Sequence, residues 1–373
     1  MNAKKLGFGL MRLPLTDPND ERSVDLELLK KLADIFLARG YTYFDTAPVY
    51  CGGMSEAAFK PCVADRYPRD AYTLTTKLSP FSLRKKEDVS ALFDLQLRRT
   101  GVGFFDYYCL HNVNPMTVGI FDRLGCWDFV KTKKAEGQIR HIGFSFHGGP
   151  EMLEQILTEH PEMEYVQIQL NYLDWNSPAI RSRECYEVAE RFGKPVIVME
   201  PVKGGSLAKV PPELDAEFQR RLPGSSPASW AIRFAASHKN VVMVLSGMNS
   251  LPQMEDNTTF MDPFAPLNDE ELGFMEKAAE IINRNILVPC TGCSYCTDGC
   301  PKNIAIPKYF SLLNAEYQEK GVEGWTPQRN YYMNLITEFG KASDCIRCGQ
   351  CERKCPQHLP IRDFLRTVVE TFE

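Results

Sequence analysis

Two runs near the end of the chain share one spacing: CTGCSYCTDGCP, from Cys290 to Pro301, and CIRCGQCERKCP, from Cys345 to Pro356. Each reads C-x2-C-x2-C-x3-C-P. Thiolates at this spacing wrap a loop around a sulfide-bridged iron cluster, because such soft cores prefer sulfur ligands. Zinc suits the pattern poorly, since it takes four ligands, usually from two separated C-x2-C pairs. Disulfides suit it no better. Eight of the 13 cysteines are clustered here, and the other five (Cys51, Cys62, Cys109, Cys126, Cys185) are scattered without a framework. Clustered cysteines in a cytosolic chain are more often metal ligands than disulfides.

In two-cluster ferredoxins the cysteine before the proline ligates the other cluster. Similarity to those runs implies two [4Fe-4S] clusters. One takes Cys290, Cys293, Cys296 and Cys355; the other takes Cys345, Cys348, Cys351 and Cys300. The intervening segments IPKYFSLLNAEYQEKG and NYYMNLITEFG, and LPIRDFLRTVVETF after the second run, have helical spacing. Residues 290 to 373 therefore resemble the helical two-cluster ferredoxin type, in which helices wrap the clusters.

The elements before Cys290 must position any other chemistry. Short apolar runs recur there: YTYFDTA, AYTLTTK, FDYYCLH, IRHIGFS, YVQIQLN, PVIVMEP and VVMVLSG, with LGFGL as an eighth. Amphipathic stretches alternate with them. SVDLELLKKLADIFLARG places Leu26, Leu29, Ala33, Phe36 and Leu37 on one stripe, with Ser23 as N-cap and Gly40 as stop. PEMLEQILTEH, IRSRECYEVAERFG and SPASWAIRFAASH read likewise. Eight strands alternating with helices over about 260 residues predict a (β/α)8 TIM barrel, whose chemistry sits at the C-terminal tips of the strands.

Those tips carry a proton-transfer set. The second strand ends FDTAPVY, giving Asp45 and Tyr50; the third ends at Lys77, the fourth at His111 and the fifth at Ser145. A tyrosine with a pKa of about 10 is a weak acid at neutral pH. A neighbouring lysine lowers that pKa, an aspartate fixes the lysine, and a histidine orients a carbonyl oxygen. Cys51 reads as a small loop residue before a helix capped by Ser55. Cys109 reads as filler of the barrel interior.

In their order, GFGLMRLP, FDTAPVY, TTK, CLH, GQIRHIGFS and MVLSGMNSLPQMEDN resemble the aldo/keto reductases over residues 4 to 265, and the tail points to an iron–sulfur branch. The resemblance implies NAD(P)H-dependent reduction of a small aldehyde or ketone to an alcohol. Tyr50 would be the general acid, Lys77 and Asp45 would tune it, and His111 would orient the substrate. Ser145 and Gln167 would hold the nicotinamide carboxamide. Met199 stands where the family stacks a tyrosine on the nicotinamide ring, with Trp175 as another platform. Asp256 and Asn257 would hold adenine. The VKGGS segment, Lys203 to Ser206, would offer amides to the pyrophosphate.

The chain departs from the family in three further places. Phe146 and His147 follow Ser145 where the family has Asn. Gln253 occupies the position of an Arg that binds the 2′-phosphate, and Gly247-Met248 replaces a Lys-Ser pair. A phosphate prefers cationic partners, which leaves NADH, weakly held NADPH, or another cofactor such as FMN open.

A nicotinamide delivers two electrons as one hydride, whereas a [4Fe-4S] cluster moves one at a time. Three enzymatic arrangements satisfy that count. The barrel can be a hydride-transfer reductase with structural or partner-facing clusters. It can hold FMN that couples clusters to substrate. The clusters can inject single electrons into an enone or activated carbonyl. A non-catalytic redox sensor or electron carrier is the fourth reading. A ferredoxin or flavodoxin is the expected electron partner.

The sequence predicts a barrel over residues 1–267, a linking helix over 268–286 and the cluster module over 287–373. Net charge is −5 and charged residues make up 24% of the 373, so a basic nucleic-acid footprint is absent. No apolar run reaches the roughly 18 to 20 residues of a membrane span. The N-terminus has no apolar secretory segment. A cytoplasmic protein of an anaerobic or microaerobic host is expected, since exposed clusters are oxygen-sensitive.

Overall fold

A computed structural model describes residues 4–284, 286–319 and 326–373. Eight strands form in the predicted runs: β1 (Leu6–Gly9), β2 (Tyr43–Asp45), β3 (Thr73–Leu78), β4 (Phe105–Val113), β5 (Ile139–Phe146), β6 (Tyr165–Gln169), β7 (Val196–Met199) and β8 (Val241–Ser246). They close into one barrel in sequence order, and every pairing, including β1 with β8, is parallel. Helices cover the outside, so the strands bury both faces and read as nearly continuous apolar runs.

Alternation along the strands sorts the side chains. Phe8, Phe44, Val166, Val198 and Val244 point outward into the main core beneath the helices. Tyr43, Cys109, Tyr165, Ile197, Met243 and Leu245 point inward and fill the lower barrel. Above that plug, on the same inward face, the side chains turn polar: Asp45, Lys77, His111, Ser145 and Gln167. The apolar layer leaves the polar one a single open side, at the strand tips.

The first helix, Leu26–Ala38, buries Leu29, Leu32, Ala33 and Phe36. Its N-cap is Asp25, which accepts from the Leu28 N–H at 2.9 Å. Ser23 is not the cap: its hydroxyl donates to the Asp17 and Asp20 carbonyls in the preceding loop. Leu26 is exposed, so the buried stripe starts one turn later than the pattern suggests. Ser55 likewise lies inside its short helix, Ser55–Phe59, behind Met54 at the N-cap. Its buried hydroxyl donates to the Leu10 carbonyl at 2.9 Å and meets the Thr46 hydroxyl at 2.7 Å. That stitches the chain around Tyr50 to the β1 and β2 tips.

Helix Asp269–Asn283 packs Phe274, Met275 and Ala278 into the barrel's own core. Helices Ile306–Gln318, Gln328–Leu335 and Ile361–Phe372 build a second core around Tyr309, Phe310, Leu313, Tyr332 and Leu365. Ala179 and Ile180, from the loop after β6, belong to that second core and join the module to the barrel.

One close approach in the barrel interior requires glycine. A Cβ on Gly143 of β5 would stand 2.5 Å from the Tyr165 carbonyl oxygen and 2.7 Å from its ring. Gly143→Ala should therefore cost about 2 kcal/mol or more through overpacking against backbone, read as a lower urea midpoint. An unchanged midpoint would show that β5 and β6 can part there.

Candidate active site and metal centres

Lys77 and Asp45 form the centre of the polar layer. The Lys77 ammonium donates to Asp45 Oδ1 at 2.5 Å and to the Thr46 carbonyl at 2.8 Å, and both side chains are buried. The same ammonium lies 4.7 Å from the centroid of the Tyr50 ring. His111 meets Tyr50 edge-on, with ring centroids 5.8 Å apart. The structure thus brings all four strand-tip residues together. Tyr50 is half-buried at the start of a tight turn (Tyr50–Gly53) whose left-handed residues, Cys51 and Gly52, swing its ring over the mouth.

Behind Lys77 a second buried network holds β3 in place. Gln96 donates to the Lys77 carbonyl at 2.9 Å and to Glu56 at 2.7 Å, while Tyr108 donates to Gln96 at 2.6 Å. Glu56 also accepts from Thr76 at 2.6 Å. Since Glu56 sits on the helix just after Tyr50, one network locks the backbones of acid and lysine together.

Burial and charge set the protonation states. Burial opposes the charge on Lys77, but Asp45 and Tyr50 outweigh it and hold the ammonium protonated. Burial pushes the Tyr50 phenol up, Lys77 pulls it down, and the net lies at about 12. The expected lowering by lysine is present but loses to desolvation, so Tyr50 keeps its proton. Burial, followed by the charge of Lys77 and by His147, drives His111 well below its usual value and keeps it neutral. His111 Nδ1 has no hydrogen-bond partner among the described residues. Neither has Asp45 Oδ2. Cys109 lies deeper, 3.2 Å from the Tyr165 hydroxyl, its thiol pushed up to about 12 by burial. It is barrel filling. Cys51 packs under the loop with its Sγ 3.4 Å from the Met11 carbonyl, its thiol also raised by burial.

The residues expected to hold a cofactor fall into two groups. Ser145 and Gln167 are register partners on β5 and β6, both buried and facing the mouth. Ser145 accepts the Asn112 N–H at 2.8 Å, leaving its own O–H to donate. Gln167 Nε2 approaches the Met199 sulfur at 3.7 Å, with Met199 half-buried at the β7 tip. This end fits a carboxamide-bearing ring. Gln253, Asp256 and Asn257 share helix Leu251–Phe260, but their polar atoms serve the fold. Gln253 caps the Asn249 N–H, Asp256 accepts from Ser226 at 2.5 Å, and Asn257 donates to Ser246 at 2.9 Å. Arg12, absent from the expected set, lies beside Gly247 at the junction of the β1 and β8 tips. Trp175 stacks on His238, with centroids 4.3 Å apart, and packs on Phe234. It is a packing residue, not a platform for a ring.

The C-terminal module covers part of the mouth. Asn330 donates to Asn112 Oδ1 at 3.2 Å, Asn334 donates to the His147 carbonyl, and the Tyr331 ring lies 5.9 Å from that of His147. Beside them, Lys203 donates to Asp174 at 2.7 Å and lies 3.7 Å from Glu319. Burial pushes the Glu319 carboxyl up to about 7. The Gly204 N–H of the VKGGS segment is taken by Glu200 at 2.6 Å. No single-sequence signal marks Asn330, Tyr331, Glu319 or Asp174, because these contacts join segments that no periodicity connects.

The eight clustered cysteines ring two cavities in the crossed arrangement. Cys290, Cys293, Cys296 and Cys355 line one, closed by Ile306, Phe310 and Leu359. Cys345, Cys348, Cys351 and Cys300 line the other, with Ile304, Ile306 and Leu365. Each donor set is four sulfurs on apolar walls, which suits a thiolate-bound cubane.

Comparison with known proteins agrees with this layout. Residues 5–280 match the aldo/keto reductase family, and residues 289–359 match the 4Fe-4S dicluster domain. L-galactose dehydrogenase of Arabidopsis thaliana is 23% identical over 271 residues, covering 67% of this chain and 83% of that protein. An aldo-keto reductase from Klebsiella pneumoniae, solved with NADPH, superposes with a TM-score of 0.57 at 19% identity, covering 74% of this chain and 90% of that one. A holo aldo-keto reductase from Bacillus halodurans gives 0.56 at 24% identity, over 74% and 91%. At these identities the solved structures share the fold.

The buried pair makes a stability prediction that needs no substrate. Asp45→Asn leaves the Lys77 ammonium buried without its counter-charge and should cost about 3 kcal/mol or more, measured by urea unfolding at pH 7. A loss below about 1 kcal/mol would mean that water reaches Lys77.

Proposed function

The chain belongs to the aldo/keto reductase family and carries a 4Fe-4S dicluster domain behind its barrel; from there we propose that it reduces a small aldehyde or ketone with NAD(P)H, using Tyr50 as general acid. The observation that carries this reading is the Lys77 ammonium, buried between Asp45 and the Tyr50 ring with His111 across the mouth.

Each residue has a separable task. The neutral His111 and the Tyr50 hydroxyl converge on one carbonyl oxygen and orient it. As negative charge develops there, Tyr50 gives up its proton and the fixed Lys77 charge stabilises the phenolate left behind. Asp45 holds Lys77 in place. The nicotinamide, when bound, supplies the hydride to the carbonyl carbon. Ser145 and Gln167 hold its carboxamide and Met199 packs on its ring. The adenosine end would meet helix Leu251–Phe260, which carries Gln253, Asp256 and Asn257. The NADPH-bound Klebsiella relative supports the choice of cofactor.

In the C-terminal module, Cys290, Cys293, Cys296 and Cys355 hold one [4Fe-4S] cluster and Cys345, Cys348, Cys351 and Cys300 hold a second. They supply one-electron storage and transfer, which hydride chemistry does not require. The barrel and the clusters therefore serve distinct electron flows.

Tyr50→Phe tests the acid. Loss of the proton donor should lower kcat by about 10²- to 10⁴-fold with KM nearly unchanged and iron content unaltered. Equal turnover in the variant would remove Tyr50 from the mechanism. In the wild type, the phenol's raised value of about 12 means that the acid form persists through pH 9. The kcat profile should be flat from pH 7 to 9, and a fall within that range would assign the proton to another group.

A further inference from the structure

We propose that the loop from Cys345 to Cys351 is a docking surface for an acidic one-electron carrier protein, with Ile346 at its centre. This rests on the reading of Cys300, Cys345, Cys348 and Cys351 as ligands of one cluster.

Three observations converge on this loop. The first is access: Cys348 is exposed, and Ile346, between two of the cysteines, has 59% of its surface in solvent. Ile346 also lines the cavity. A large aliphatic side chain held outside the core gains nothing for folding, while at the middle of an interface it gives an apolar anchor.

The second is charge. Arg347 lies in the loop, Lys302 and Arg362 line its cavity, and Arg353 reaches its Cys348 carbonyl; Lys354 stands between this loop and Asp298 of the other. Over residues 341–366 six cations face three carboxylates, in a chain whose net charge is −5. Two of the carboxylates are already committed: Glu352 to Arg362 at 2.7 Å and Asp363 to Arg347 at 3.4 Å. The third, Asp344, accepts the Lys341 N–H. Lys302, Arg353 and Lys354 have no carboxylate within ion-pair distance among the described residues. Lys354 reaches the Asp298 carbonyl at 2.7 Å and Arg353 the Cys348 carbonyl at 3.4 Å, so both are tied against the loops that carry the cysteines.

The third is asymmetry. The other cavity also has an exposed ring beside it, Tyr295 at 58%, but its loop from Thr291 to Gly299 carries Asp298 as its one charged residue. Among the described residues, Lys302 and Arg362 line the cavity beside Ile346, whereas no charged side chain lines the cavity of Cys290, Cys293, Cys296 and Cys355.

Electron-transfer encounters are small and transient, and charge complementarity sets their association rate more than their affinity. A cationic rim around an apolar anchor selects a carrier whose own redox face is acidic. Each productive encounter moves one electron: the reduced carrier is oxidised by one, the cluster is reduced by one, and no bond is made or broken.

The test uses the iron-loaded full chain and a reduced acidic flavodoxin, mixed anaerobically while cluster absorbance near about 400 nm is followed. The expected second-order rate constant falls steeply with ionic strength in the wild type. It should drop about tenfold or more in Lys302→Glu/Arg353→Glu and severalfold in Ile346→Ser, while dithionite bleaches all three proteins to the same extent. A wild-type rate indifferent to salt, or variants that react as fast as the wild type, would overturn the docking surface. Little or no iron in the purified wild type would instead refute the cluster reading beneath it. Flavodoxin-independent capture of the same face by anionic vesicles, lost in the double variant, would reassign the rim to a lipid surface.

Discussion

A lysine ammonium with no exposed surface has to be answered by charge, and in this chain Asp45 answers it at 2.5 Å. Burying either ion alone would cost several kcal/mol. The pair is tolerated because the Thr46 carbonyl takes a second ammonium proton and because an apolar plug of Tyr43, Cys109, Tyr165 and Ile197 closes the barrel below it. The remaining geometry follows. The positive charge faces the only open side, where the Tyr50 ring lies across it. The same charge that favours a phenolate on Tyr50 also drives protons off His111. Burial is the larger influence on both groups; it keeps Tyr50 protonated against the pull of Lys77 and, with Lys77 adding to it, keeps His111 neutral.

The second module constrains the barrel instead of trailing from it. Helix Gln328–Leu335 rests on Asn112 at the tip of β4 and His147 just after β5, and Glu319 closes over Lys203 beyond β7. The C-terminal module thereby covers the side of the mouth formed by these loops, and the β1, β2 and β3 side is left to Tyr50 and its turn. The cysteine-lined cavities lie at the start of helix Ile306–Gln318, whose first residue touches both and whose C-cap, Glu319, lies 3.7 Å from Lys203 of the loop after β7. The polar layer at the strand tips and the cysteine-lined cavities are thus set apart along one helix. That separation agrees with the proposal that hydride and single electrons would be handled at different places.

Much of this was legible in the sequence because ligand spacing and strand periodicity are local. The C-x2-C-x2-C-x3-C-P runs specify their own loops, and the crossing of Cys300 and Cys355 between cavities follows from the proline turn that carries each away. Asp45, Lys77 and His111 were legible because a barrel exposes whatever polar residue ends a strand. What depended on three-dimensional competition was not. Ser23 and Asp25 are both competent N-caps, and the loop's own hydrogen bonds decided between them. Lys77 lowers the phenol of Tyr50 as expected, yet burial, which no spacing encodes, outweighs it. Trp175 has the composition of a ring platform, but Phe234 and His238 claim it. The cover over the mouth was invisible, since Asn330 and Asn112 are 218 residues apart in sequence.

The most direct test of the account follows an isotope. Nicotinamide cofactor deuterated at the transferable C4 position is mixed with the iron-loaded enzyme and an activated aromatic aldehyde such as 4-nitrobenzaldehyde, and the alcohol is analysed by mass spectrometry. Direct hydride transfer in the barrel predicts one deuterium on the carbinol carbon in nearly every product molecule. Alcohol carrying solvent hydrogen at that carbon would contradict it, because electrons passing through a flavin or through the clusters lose the label on the way.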